Sequence, residues 1–103
     1  MSIKKQFLKS KPVCKVAFRV DATEVNSAKK VQILGDFNNW DQTAESMTML
    51  KSNDFTATLE LEAGKEYQFR YFIDGTNWKN ESEADSYVVN EFGSENGVIS
   101  TLA

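Results

Sequence analysis

No histidine occurs among the 103 residues, and cysteine and proline occur once each. The first absence removes the commonest general base and the commonest metal ligand, and with them every Ser-His or Cys-His nucleophile pair. Cys14 stands alone, so there is no internal disulfide and no cysteine cluster for zinc. No run approaches the roughly 20 apolar residues of a membrane-crossing helix. The opening MSIKKQFLKSKP lacks the continuous apolar stretch of a secretory signal. Internal repeats, linkers and low-complexity stretches are missing too. These absences set the expectation of a cytoplasmic protein with no metal, cofactor or membrane partner.

The residues present describe a folding chain. Hydrophobic residues make up 41% and aromatic residues 12%, well above a disordered composition. The length suits one domain. A net charge of −3 runs against the basic footprint of a nucleic-acid binder. The charge is uneven, because Lys4, Lys5, Lys9, Lys11 and Lys15 all precede the first acidic residue, Asp21. Residues 1–12 therefore read as a solvated basic segment, with an anionic-partner site as the alternative. A single domain is expected over residues 13–103.

From Val13 onward the pattern is β. VCKVAFRV places Val16, Phe18 and Val20 on one face, and Lys15, Ala17 and Arg19 on the other. KVQILG is a second strand closed by Gly35, and MTML a short edge strand. DFTATLEL alternates with Phe55, Ala57, Leu59 and Leu61 on one side. EYQFRYFI sets Tyr67, Phe69, Tyr71 and Ile73 against Gln68, Arg70 and Phe72. Asp74-Gly75 signals a hairpin, and SYVV and GVISTL close the chain. In the basic segment, Ile3, Phe7 and Leu8 share a side of one helical turn, which would pack across an open end. Seven to eight short strands with turns between them predict an all-β antiparallel sandwich.

Three stretches, VQILGDFNNWD, YQFRYFIDGTNW and FGSENGVIS, carry a resemblance over about residues 13 to 102. They look like the glycogen-binding domain of AMP-activated kinase beta subunits. More broadly they resemble the family-48 carbohydrate-binding modules, also called isoamylase N-terminal or early-set domains. The resemblance implies an immunoglobulin-like sandwich that binds α-1,4-linked glucans without catalysis. It places the two sugar-stacking tryptophans at Trp40 and Trp78. The basic strand residue falls on Arg70, where lysine is usual, and the late asparagine on Asn96. Phe92 matches a leucine that packs on the sugar, and Ser94 a threonine that keeps its hydroxyl. Thr76-Asn77 adds a residue to the hairpin tip relative to the kinase-type motif, which would turn Trp78. The acidic NESEADSY stands where relatives often carry Asp-Pro.

The chemistry of those side chains suits sugar. An indole offers a broad, rigid, electron-rich face to the axial C–H groups of a glucose ring. Removing on the order of 100 Å² of apolar surface per tryptophan gives roughly 2–3 kcal/mol each. Ordering the oligosaccharide cancels much of this, leaving dissociation constants of roughly micromolar to millimolar. Arg70 and Asn96 would fix register, since a missed hydrogen bond leaves a desolvated polar group. Each residue also has a plainer reading: Trp40 as a core lid over Phe37, Trp78 as a cross-strand packer, Arg70 as a solvated surface residue. Asn96-Gly97 could make a tight turn, and Phe92 could be core.

Two other functions compete. One is a docking domain for a separate glycogen- or starch-metabolising enzyme or a kinase-like partner. The other is a glycosidase using Glu81, Glu83 and Asp85 on one strand face. The catalytic barrel of such enzymes needs about 250 residues, which leaves a solvated acidic loop as the favoured reading of those carboxylates.

Overall fold

The alternating runs become strands of two antiparallel sheets in the computed structural model, which describes residues 1–102. One sheet has the order β1-β2-β5-β4, from β1 (Ser2–Phe7), β2 (Val13–Val20), β5 (Phe55–Glu62) and β4 (Thr48–Met49). The other runs β3-β6-β9-β8, from β3 (Val31–Gly35), β6 (Glu66–Ile73), β9 (Glu95–Ser100) and β8 (Ser86–Val89). The short β7 (Asn77–Lys79) pairs with the end of β6, at Tyr71–Ile73, while β9 pairs with its start, at Glu66–Phe69. The result is the immunoglobulin-like sandwich expected, with nine strands.

Period-two alternation fills the space between the sheets. Val16, Phe18 and Val20 of β2, with Phe55 and Leu61 of β5, face Phe69, Tyr71 and Ile73 of β6 and Ile99 of β9. Phe18 meets Phe69 across the layers, edge-on, with ring centroids 5.5 Å apart. Full burial of each such ring stabilises the fold by roughly 1.5–3 kcal/mol.

Residues 2–7 are a strand and not the helical turn suggested by Ile3, Phe7 and Leu8. They pair with β2 along the whole of β1, Ser2 opposite Arg19 through Phe7 opposite Cys14. Alternation within Ile3-Lys4-Lys5-Gln6-Phe7 puts Ile3 against the core. Lys5 reaches across to Asp85 on the other sheet's flank, 2.7 Å away. Ala103, the last residue of the expected domain range, lies outside the described residues.

The outer face of the second sheet positions the site. Gln32 and Leu34 of β3 lie opposite Phe72 and Arg70 of β6, and both are buried although they face away from the core. The loop after β3 covers them. The Gln32 amide donates to the carbonyls of Gln42 (2.9 Å) and Ala44 (2.6 Å), and Met47 N–H returns to Val31 O at 2.7 Å.

Candidate carbohydrate-binding groove

Each residue of Gly35-Asp36-Phe37-Asn38-Asn39-Trp40 has a local task. A Cβ at Gly35 would run into the Gln68 carbonyl and lie 2.8 Å from Phe69 Cβ, so only glycine lets β3 approach β6 here. Asp36–Asn38 make a single 3₁₀ turn. Asn38 closes it, accepting from Gly35 N–H (3.0 Å) and donating to Ile33 O (2.9 Å). Phe37 tucks its ring toward Tyr67, 6.1 Å away. Asn39 and Trp40 then both adopt left-handed backbone, φ 57° and 56°. That conformation costs an L-residue about 1–2 kcal/mol and persists only where the surroundings hold it. Here Trp40 N–H bonds Gly35 O at 3.0 Å, and its indole N–H donates to Asp36 Oδ1 at 3.1 Å. The second Asp36 oxygen accepts from Gln68 N–H at 2.8 Å. Trp40 is therefore no lid over Phe37: its half-buried indole is tied to Asp36 and lies beside Trp78.

Register places Trp78 beside it. Asp74 and Gly75 take φ 50° and 69°, and Asp74 Oδ1 accepts from Lys29 and Lys30 N–H, each at 2.9 Å. The connection from Ile73 to Asn77 carries Asp74, Gly75 and Thr76, so Trp78 pairs with Phe72 on the outer face. The two rings lie 4.4 Å apart at 33°, and Trp40 and Trp78 lie 6.2 Å apart at 58°. Arg70, two residues along β6, holds its guanidinium 5.8 Å from the Trp78 ring centroid. The alternation of β6 predicted a solvent-facing arginine; it does face outward, but the loops half-bury it. Its Nε has no hydrogen-bond partner, and it makes no ion pair among the described residues. Burial draws the guanidinium pKa below its usual value.

The third wall is the loop between β8 and β9. Asn90 Oδ1 accepts from Phe92 N–H (2.9 Å) and Ser94 N–H (3.1 Å), and its amide donates to Asn96 Oδ1 (3.1 Å). Asn96 in turn donates to Gln68 Oε1 at 3.0 Å. It sits within β9 and is buried, so the tight-turn reading with Gly97 does not hold. Phe92 is 84% exposed at the loop tip and no part of the core. Trp40, Arg70, Trp78, Phe92, Ser94 and Asn96 all line one groove of about 600 Å³. Gln42, Asn90 and Glu91 line it as well. Those three carry no sequence signal beyond their nearness to Trp40 and Phe92; the hydrogen bonds of Gln32 and Asn96 bring in Gln42 and Asn90, and Glu91 follows Asn90 on the same loop.

The three carboxylates weighed as a hydrolytic set do not share a strand face, because residues 81–85 lie outside the strands. Glu81 is buried, accepting from Tyr71 OH and from Glu83 N–H, each at 2.8 Å. Burial and the adjoining Glu81 carboxylate push the Tyr71 hydroxyl pKa far up. Asp85 is bonded to Lys5 and to Ser100 N–H. Glu81 and Asp85 are thus structural braces, and the Glu83 carboxylate is exposed. Among the described residues no group of three or more His, Cys, Asp or Glu could hold a metal ion.

A loop-capped outer face on an early-set sandwich, with two indoles lining a groove that also carries polar side chains, defines a β-sandwich binding module. The chain belongs to the family described as the glycogen recognition site of AMP-activated protein kinase, whose model matches residues 22–102. That family is a non-catalytic module for carbohydrate. No curated protein sequence matches the chain. Among solved structures it is similar to the enterobactin esterase FES from Shigella flexneri. The crystal structure with enterobactin aligns at TM-score 0.74 and 11% identity, over 96% of this chain and 32% of that one. The structure with 2,3-dihydroxy-N-benzoyl-glycine aligns at TM-score 0.70 and 12% identity, over the same shares. Likeness at this identity concerns the fold alone, and this chain spans about a third of the length of those chains.

Proposed function

We propose that the groove binds α-1,4-linked glucan chains by stacking glucose rings on Trp40 and Trp78, without catalysis. The observation that carries this reading is the pair of adjacent, partly exposed indoles, 6.2 Å apart and tilted by 58°. A flat β-1,4 chain needs aromatic faces in one plane. Successive rings of an α-1,4 chain turn relative to one another and suit tilted faces. Arg70 has unused donors in a half-desolvated setting, where a bond to a sugar hydroxyl is worth more than in water. Asn96, held between Gln68 and Asn90, offers its remaining hydrogen-bonding capacity from a fixed position. Ser94 adds a hydroxyl, and the exposed Phe92 ring lines the groove as well.

Tryptophan fluorescence tests it. Maltoheptaose and β-cyclodextrin should quench saturably, and cellohexaose should not. Trp40→Ala and Trp78→Ala should each weaken binding by roughly 30- to 150-fold, the worth of about 2–3 kcal/mol of stacking. A flat trace in folded protein rejects the proposal. Reducing sugar should not accumulate when clean protein is incubated with glycogen.

A further inference from the structure

Sheet edges leave main-chain N–H and C=O groups unpaired, and native proteins guard them with charge, brevity or cover. Most edges here are guarded. β1 carries Lys4 and Lys5, β4 is two residues long, and the part of β5 beyond β4 carries Glu60 and Glu62. The free side of β3 is covered by Ser46 and Met47. β8 differs. It ends its sheet, and its Ser-Tyr-Val-Val is uncharged and exposed along its whole length. Tyr87 is 42%, Val88 37% and Val89 73% accessible. An open ladder bearing β-branched and aromatic side chains is the ordinary template for strand addition.

The surrounding charge specifies the occupant. Residues 81–95 hold five carboxylates and no lysine or arginine. Glu81 is buried on Tyr71 and Asp85 is paired with Lys5. Glu83, Glu91 and Glu95 are exposed and unpaired among the described residues. Pairing β8 with β8 of a second copy would bring these carboxylates together, which like charge opposes. A strand with cationic ends would be attracted instead. We infer that β8 is a docking edge for an extended segment of a partner protein, apolar at alternate central positions and flanked by lysine or arginine. Val88 lies opposite Asn96, and the loop that follows the strand carries Asn90 and Phe92 of the groove. The docked segment thus runs beside the groove without filling it, and the inference stands whether or not the groove binds glucan.

The test is a titration of the intact chain with the synthetic peptide Lys-Lys-Val-Thr-Val-Thr-Val-Lys-Lys, followed by amide chemical shifts. A four-residue edge buries little surface, so the dissociation constant should be on the order of 100 μM. Saturable shifts should centre on residues 86–89. The same peptide with Glu for every Lys should bind at least tenfold more weakly, and so should the variant Val89→Lys with the original peptide. Val89 is exposed enough for that change to leave the fold intact. Absent shifts, shifts elsewhere, or equal response to both peptides overturns the inference. Concentration-dependent shifts at 86–89 without peptide would assign the edge to a second copy and overturn it too.

Discussion

The two sheets turn very different faces outward. On β1-β2-β5-β4 the outward positions include Lys4, Lys15, Arg19, Thr58, Glu60 and Glu62, exposed and carrying no second layer. On the other sheet the outward positions of β3 and β6 include Gln32, Leu34, Arg70 and Phe72, buried or half-buried beneath Trp78 and the Asp36–Met47 loop. Both faces obey the same period of two. They differ in whether a connection is long enough, and tied down well enough, to fold back over the strands. A groove, a partly desolvated donor and clustered indoles come together on the covered face.

Gly35→Ala should break the covered face most severely. The new Cβ meets backbone rather than a flexible side-chain end, so the cost should be roughly 3 kcal/mol. Urea denaturation should show it, with glucan quenching lost alongside. A tolerated alanine would mean that close approach of β3 to β6 does not define the turn. Gln32→Leu keeps the volume but removes both amide bonds to the loop. Stability should fall by roughly 1–2 kcal/mol, and maltoheptaose affinity should drop several-fold as the wall bearing Gln42 loosens. Unchanged affinity would separate the loop's cover from its part in the groove.

A smaller effect is expected in acid. Burial pushes the Asp85 carboxyl up, but the bonds from Lys5 and Ser100 outweigh it and hold its pKa below the usual range. A folded-state pKa below the unfolded value of about 3.9 gives stability that is present above that value and lost as pH falls through the folded one. Asp85→Asn should therefore flatten the stability-versus-pH curve below about pH 4, as read from urea midpoints. Thr58→Lys, exposed on the bare face, should move stability by no more than about 0.5 kcal/mol and leave glucan binding untouched. A larger change there would mean that face is not inert.

How much of this was legible follows residue by residue. Tyr67-Gln68-Phe69-Arg70-Tyr71-Phe72-Ile73 declared its strand and both of its faces, because alternation is local and needs no partner. The Gly35–Trp40 motif announced a turn presenting an aromatic, since its glycine and asparagines act on their own neighbours. β1 was misread because two adjacent lysines obscure alternation in an edge strand, whose pairing depends on β2, not on its own composition. Gln42 and Asn90 were missed at the groove because their place is fixed by hydrogen bonds with Gln32 and Asn96, and Glu91 because it sits on the loop that Asn90 ties down.

Sequence by itself therefore determined most of the strands and the alternating core face, which follow from interactions spanning a few residues, and left Trp40 and Trp78 open between core and surface. Only the tertiary structure decided that Gln32 and Glu81 are buried, that Phe92 is exposed, and that β8 is left open. A side chain's burial depends on what the rest of the chain lays over it. For Gln32 the cover comes from ten residues onward along the chain, and Glu81 meets its hydroxyl partner ten residues back, on β6.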